Sequence, residues 1–196
     1  MEDSRIYITQ TALALFLEKS YKAVTFQELM EKTGFSKGAF FYYFKNKQQI
    51  FEAAIDLYVD QFATVDFTQL SSSSLRDFLD AYFPEARKVR DRFLAPELTF
   101  AANHYSLLFE ALRIIPDFRS KFNRHEETVL AAWIKVIAAA RHNQEITSVL
   151  PDEQLARIFI DVGHGIVIQL IMADNTIALE KEVSATWNNL YQLIKA

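Results

Sequence analysis

The sequence predicts an all-α protein of about nine helices, with a three-helix helix-turn-helix domain at the N-terminus and a larger helical domain after it. Only four glycines and four prolines occur among 196 residues, and turn-rich β folds need many more of both. Apolar residues recur at helical spacing along most of the chain. Several of these segments open with Ser, Thr or Asn in a position to cap a helix.

Composition narrows the class of protein further. Hydrophobic residues make up 51% of the chain, and the absence of cysteine excludes disulfides, thiolate metal sites and cysteine nucleophiles. The longest uncharged apolar stretch, 162–173, has twelve residues, whereas a helix needs about 20 to span a bilayer. The first ten residues are charged and amphipathic, unlike a signal peptide. We therefore expect a cytoplasmic protein with no membrane partner.

The first helix is predicted from an apolar stripe made by Ile8, Ala12, Leu15 and Phe16, whose spacing follows successive turns of one helix face. Residues 19–21 end this helix. The stripe indicates that one side of the helix is buried against the elements that follow.

Two short helices come next. Thr25 and Glu28 have the capping-box spacing that opens a helix. Gly34 can adopt the left-handed conformation of a tight turn, and Ser36 can cap a third helix over 37–44. A helix, a short glycine turn and a second capped helix have the spacing of a helix-turn-helix.

A fourth helix is predicted from Asn46 to about residue 62, and the charge distribution around its start is uneven. The whole chain has a net charge of −4, yet residues 1–50 hold seven Lys and Arg against five Asp and Glu. Four lysines and no acidic residue lie between Glu31 and Glu52. This segment can therefore approach phosphates without self-repulsion.

The segment 8–54, and above all 25–47, resembles the DNA-binding domain of the tetracycline-repressor (TetR) family. The resemblance implies a homodimer that binds near-palindromic double-stranded operator DNA, usually as a repressor. It also implies release from DNA by a small apolar or amphipathic effector. On this basis residues 1–47 form the DNA-binding domain, and residues 48–196 form the effector-binding and dimerisation domain.

The resemblance also assigns candidate DNA contacts. Two residues cap the helices that meet DNA, small residues open the recognition helix so that it can approach the major groove, and others reach phosphates or base edges. Phe40 and Phe44 are predicted to lie in the core, and Lys45 in solvent. The candidate contacts are Thr25, Ser36, Lys37, Gly38, Ala39, Tyr42, Tyr43 and Lys47.

Three positions depart from the usual family pattern. Ser20 stands where the family generally has Gly, so a left-handed turn there is expected to cost up to about 1 kcal/mol. Phe41 stands where Tyr is usual, which removes a hydroxyl group. Met30 occupies a place often filled by Ala, so the angle between the two motif helices is expected to differ slightly.

The rest of the chain predicts further helices without a diagnostic motif. Ser74 is placed to cap one of them, and Pro84 should kink or end that helix. Pro116 and Pro151 are well placed near the first turns of later helices. The remaining segments are predicted at about 94–113, 117–142, 152–173 and 177–195.

The last two helices are predicted to pair with their two-fold mates in a four-helix bundle. Residues 162–173 are apolar nearly all round, so this helix needs cover on two sides. The alternative is that both helices fill the core of a monomer. The candidate interface residues are Val162, Ile166, Leu170, Val183, Trp187, Leu190, Tyr191 and Ile194.

An effector pocket is expected to combine apolar walls with a few polar groups. Gly163 and Gly165 suggest either close helix contact or space for a ligand. His104, His125, His142 and His164 lack the paired spacing of metal ligands, so no metal or cofactor is expected. The pocket candidates are Phe83, Phe93, Phe100, His104, Phe109, Trp133, Ile137, His164 and Ile168.

Other functions are weighed against this one. No motif organises a nucleophile, a phosphate loop or a metal helix, so we do not expect an enzyme. The remaining alternative is a helical carrier of an apolar small molecule with little or no DNA binding. If the protein is a regulator, the fourth helix is expected to transmit the effector signal, because it begins beside the DNA and continues into the larger domain.

Overall fold

The computed structural model describes residues 2–61, 65–91 and 100–196, and within these ranges it contains nine α-helices and no strand. This confirms the predicted all-α class. Two short 3-10 turns, Phe67–Gln69 and Thr176–Ala178, separate some of the helices. The helices are α1 (Glu2–Glu18), α2 (Phe26–Thr33), α3 (Lys37–Tyr43), α4 (Lys47–Gln61), α5 (Leu75–Asp91), α6 (Phe100–Ile114), α7 (Phe118–His142), α8 (Asp152–Met172) and α9 (Leu179–Ile194).

Unit 1 comprises Met1–Ala63 and Arg90–Phe122, and it forms one compact core. The predicted stripe of α1 is fully buried here, together with Phe51 and Tyr58 of α4. The ring of Phe16 meets the ring of Phe51 edge to face at 4.9 Å between centroids. In this unit α1 therefore binds α4 through aromatic contacts that are worth more than their buried area alone.

Unit 2 comprises Thr64–Val89 and Asn123–Ala196, and its core is built around both tryptophans. Trp133 stacks on Phe159 at 5.5 Å and meets Trp187 edge to face at 5.1 Å. The Trp187 indole N–H donates to the Phe159 carbonyl at 2.8 Å, so its one polar group is satisfied inside the core.

Gly163 explains how Trp187 reaches this position. A methyl group at residue 163 would lie 3.2 Å from the Trp187 ring, closer than ordinary van der Waals contact. Close helix contact is therefore the reason for this glycine. Gly165 has open space around it and shows no such constraint.

Helix α5 continues through Pro84 to Asp91, so the proline does not end it. Ser74 caps its start as predicted, with its hydroxyl accepting from the Asp77 N–H at 3.2 Å. The Glu145 carboxylate adds bonds from the N–H groups of Leu75 and Arg76, at 3.0 and 2.8 Å. The negative charge of Glu145, which is distant in sequence, interacts favourably with the positive end of the α5 helix dipole.

The backbone at Ser20 differs from the expectation. Among the described residues other than glycine, positive φ occurs only at Gln144 and Asp174. Ser20 instead accepts bonds at its carbonyl from the N–H groups of Ala23 and Val24, at 3.0 and 3.3 Å. The turn after α1 therefore avoids the left-handed strain that a missing glycine would impose.

Helix α8 is apolar for most of its length. It contains an 18-residue stretch long and apolar enough to cross a membrane by length and composition alone, and 22% of that stretch is buried. The apolar stretch identified from the sequence, 162–173, is shorter because it was limited to uncharged residues. The 18-residue stretch also includes Arg157 and Asp161. Its outward side carries Ile168 and Met172, which are 40% and 83% exposed.

Candidate nucleic-acid interface

Local capping sets the geometry of α2 and α3. The Thr25 hydroxyl accepts from the Glu28 N–H at 3.1 Å, and the Ser36 hydroxyl accepts from the Ala39 N–H at 3.3 Å. Gly34 has φ of 73° and donates its N–H to the Met30 carbonyl at 2.8 Å. The predicted caps and glycine turn are confirmed, and they join the two helices through a turn of three residues.

Helix α3 has one buried side and one exposed side. Phe40 points into the core and is fully buried, and Phe44 just beyond the helix is 2% exposed, as predicted. Lys37, Gly38 and Tyr42 lie on the opposite side in solvent, and Tyr42 is 70% exposed. Three of the candidate contacts on α3 are thus exposed, as are Thr25 and Ser36, while Ala39 and Tyr43 are half-buried. We call Lys37, Gly38, Phe41 and Tyr42 the α3 face.

Aromatic contacts hold this face in place. The Phe41 ring stacks on Phe26 of α2 at 5.4 Å, although Phe41 is 46% exposed. Tyr42 and Tyr43 meet edge to face at 4.9 Å. The Lys37 ammonium lies 6.0 Å from the centre of the Phe41 ring. Phe41, which the sequence marked only as a departure, therefore supports α3 against α2 and presents an apolar edge on the surface.

Lys47 is the exception among the candidate DNA contacts. Its ammonium donates to the carbonyls of Tyr21 and Val24, at 2.8 and 2.9 Å, and lies 4.3 Å from the centre of the Tyr21 ring. Burial lowers the pKa of this group, and the Glu110 carboxylate opposes that change. The side chain thus faces inward, because backbone carbonyls in the turn after α1 accept its hydrogen bonds in place of water. The structure does not favour a phosphate contact for Lys47.

Glu110 of α6 was missed by sequence reasoning. Its carboxylate accepts from the backbone N–H of Tyr21 at 2.7 Å. The turn after α1 is therefore held on its N–H side by α6 and on its carbonyl side by Lys47 of α4. Nothing in the sequence marks a glutamate 89 residues away as the partner of a backbone amide.

Two side-chain contacts join α4 to α6 and to the start of α7 within unit 1. The Tyr58 hydroxyl shares a hydrogen bond with Nδ1 of His104, and Asp56 pairs with Lys121. Burial raises the pKa of Tyr58, so the hydroxyl stays protonated. His104 was a candidate for the effector pocket, and the structure shows instead that its ring bonds to α4.

The other pocket candidates do not line one cavity among the described residues. Trp133 and Ile137 are fully buried in the core of unit 2, whereas Phe109 is 60% exposed on α6 of unit 1. His164 and Ile168 lie on the outward side of α8. Phe93 lies outside the described residues, as does the side chain of Phe100. Of the seven candidates whose side chains the structure describes, Phe83 alone lines the cavity described below.

The predicted dimer residues divide into two groups. Val183, Trp187 and Tyr191 are 2%, 4% and 9% exposed in the single chain, so they belong to the core of the protomer and correct the prediction. They turn inward because the aromatic core of unit 2 needs them. The remaining five are half-buried: Val162, Ile166, Leu170, Leu190 and Ile194.

These features define a helix-turn-helix protein with an exposed second motif helix. Residues 8–54 match the family described as bacterial regulatory proteins, tetR family. The match covers about a quarter of the chain, so the likeness to this family is shown for the helix-turn-helix segment.

The chain is also similar to individual regulators. The chain is 36% identical over 59 residues to the uncharacterized HTH-type transcriptional regulator YerO of Bacillus subtilis, a match that covers 30% of this chain and 20% of YerO. It thus spans about a fifth of that relative. The uncharacterized HTH-type transcriptional regulator YfiR of the same organism is 22% identical over 171 residues, or 85% of this chain and 80% of YfiR.

Solved structures extend the likeness in fold to the whole chain. A TetR transcription regulator from Haloarcula marismortui has a TM-score of 0.79 with 16% identity, and the match covers 100% of both chains. At this identity the comparison establishes the fold alone. The larger helical domain therefore shares its architecture with that structure.

Proposed function

We propose that this protein is a homodimeric DNA-binding transcriptional regulator, a repressor that leaves a near-palindromic operator when a small effector binds. The α3 face is the observation that supports DNA binding most directly. It combines a cation, a glycine with no neighbour above it and a largely exposed tyrosine on one short helix. The major groove admits an α-helix, and these groups reach phosphates, base edges and thymine methyls.

The glycine at the centre of the α3 face favours close approach to DNA. Apart from its two chain neighbours and the nearby backbone of α3 itself, no heavy atom of the described residues lies within 4 Å of the position that a Cβ of Gly38 would occupy. Packing inside the protein therefore does not require glycine there. A flat helix surface that lets bases or sugars approach the backbone does require it, so Gly38 fits a recognition helix better than a purely structural one.

Dimerisation is supported by the outward side of α8. Ile168 and Met172 expose apolar surface on a helix that is apolar for most of its length. A second copy of α8, related by two-fold symmetry, would cover this surface and give a self-complementary interface. The same symmetry would present two α3 faces to two half-sites of a near-palindromic operator, roughly 34–36 Å apart.

Effector release is supported by the contacts between α4 and α6. Both helices belong to unit 1, and they are joined by Tyr58 and His104 near the C-terminal end of α4. A ligand that displaces α6 would move α4 and with it the recognition helices. A shift of a few ångströms in their spacing would prevent simultaneous contact with both half-sites.

A mobility-shift experiment with the DNA upstream of the gene tests the proposal. At physiological salt the protein should retard this duplex at concentrations at which it leaves a random duplex of the same length free. Tyr42→Ala should weaken the complex at least tenfold, and Phe109→Ala is the matched control, an exposed aromatic on a different helix of unit 1. Equal retardation of both duplexes, or none of either, would contradict sequence-specific DNA binding.

A further inference from the structure

A groove lies between α5 and α9 in unit 2, with a volume of about 310 Å³. The two helices run antiparallel here, because Arg76 near the start of α5 bonds to Asn188 late in α9, while Arg87 late in α5 pairs with Glu180 at the start of α9, at 2.9 Å. Long arginine side chains therefore bridge both ends of the groove and leave its middle open. The volume falls in the range of roughly 300–1,000 Å³ found for small-molecule sites.

The floor of the groove is aromatic. Phe83 and Trp187 stack there at 5.5 Å between centroids, with 27° between the ring planes. Pro84 adds an apolar ring beside them. Because the Trp187 N–H is already bonded to Phe159, the indole offers the groove an apolar surface. A flat apolar group is the occupant that such a floor accommodates best.

The walls of the groove carry an excess of positive charge. Arg76 pairs with Asp80 and Arg87 pairs with Glu180, so these four charges are balanced. Lys181 also lines the groove, and within the described part of the chain it has no ion-pair partner. Ser184 follows three residues later on the same side of α9 and offers a hydroxyl donor next to this cation.

From this arrangement we propose that the groove between α5 and α9 binds a small aromatic carboxylate. The ring lies against Pro84 and the stacked pair of Phe83 and Trp187, and the carboxylate accepts hydrogen bonds from Lys181 and Ser184. All the lining residues belong to unit 2. The site is thus independent of the α3 face, and the proposal does not rest on DNA binding by this protein.

Isothermal titration of the DNA-free protein with 1-naphthoate tests this site. Saturable binding with one ligand per chain is expected, and the neutral analogue 1-naphthalenemethanol should bind at least tenfold more weakly because it lacks the charge. Lys181→Gln should raise the dissociation constant for 1-naphthoate by roughly tenfold, since a charge-assisted hydrogen bond is lost. Lys181 is exposed and has no ion-pair partner among the residues that the structure describes, so this variant should fold normally.

Two further variants separate the groove from the rest of the surface. Ser184→Leu fills the middle of the groove and should abolish binding, with circular dichroism confirming an intact fold. Lys195→Gln removes an exposed lysine at the far end of α9 and should leave the affinity unchanged. The proposal is overturned by an absence of saturable binding at millimolar 1-naphthoate, by equal affinity for the alcohol, or by an affinity that Lys181→Gln does not alter.

Discussion

Gly34 and Gly38 lie four residues apart, and the two positions favour glycine for opposite reasons. Gly34 has a backbone φ of 73°, a conformation in which a Cβ atom clashes with its own backbone. Gly38 has ordinary helical geometry and open space where a Cβ would lie. Gly34 is therefore needed for the fold of the motif, whereas Gly38 is needed for the close approach of the motif to DNA that we propose.

This contrast gives a paired prediction. Gly38→Ala should raise the free energy of unfolding by up to about 1 kcal/mol, because alanine favours a helix, while operator affinity falls. Gly34→Ala should lower the free energy of unfolding by about 1 kcal/mol, because of its left-handed conformation. Urea unfolding and mobility shifts measure the two effects. If Gly38→Leu still bound operator with full affinity, α3 would not lie close to DNA.

Lys47 and Lys37 form a second contrast at the scale of single residues. Lys47→Met keeps the aliphatic stem but removes both bonds to the carbonyls of Tyr21 and Val24. The free energy of unfolding should fall by about 1–3 kcal/mol, with little change in the salt dependence of DNA binding. Lys37→Met is the matched control, because its side chain is exposed on the α3 face.

For Lys37→Met we expect unchanged stability and a salt slope lower by about 1 for each protomer, as for one lost phosphate contact. Denaturation and binding measured across a range of salt concentrations give both quantities. The inward placement of Lys47 would be refuted if its substitution left stability intact and lowered the slope.

Helix α6 contacts both the turn after α1 and helix α4. Glu110 accepts from the Tyr21 N–H, so its removal should free this amide. We predict that Glu110→Ala increases hydrogen exchange at the Tyr21 amide by roughly 10–100-fold, since a bond to a charged acceptor is lost. Glu110→Gln keeps an acceptor oxygen and should change exchange far less. Equal protection in both variants would mean that α6 does not restrain this turn.

The helices could be predicted where the residues that stabilise them lie close together in sequence. Caps such as Thr25, Ser36 and Ser74 act on N–H groups three residues away, so the sequence contained both partners. Helix starts and the core positions Phe40 and Phe44 were therefore found. The inward turn of Lys47 and the reach of Glu110 depend on contacts between distant segments, which no spacing rule encodes.

The end helices illustrate the same limit. Helical periodicity identified the apolar side chains of α9, but it cannot tell a seam between protomers from a core within one. Trp187 was assigned to the seam, and the structure buries it against Gly163 and Phe159. Whether Pro84 would kink α5 or end it was likewise undecided, because a proline in a helix interior can do either.

For the molecule as a whole, dimerisation is best tested on side chains that are exposed in the single chain. Ile168→Asp places a charge on the outward side of α8 and should yield a folded monomer, because the charge would be buried unpaired in the proposed interface. Val149→Asp is the matched control, since Val149 is 99% exposed in the loop before α8. Sedimentation would measure the mass and circular dichroism the fold. A dimer that survives Ile168→Asp would place the interface elsewhere.

The positions of the two tryptophans mean that the two units differ in their intrinsic fluorescence. Both Trp133 and Trp187 lie in unit 2, and they are the only tryptophans in the chain. Excitation near the red edge of their absorption therefore reports on unit 2 alone. Six of the eight tyrosines belong to unit 1, among them Tyr42 on the α3 face. The emission spectrum can thus distinguish loss of one unit from loss of the other without any label.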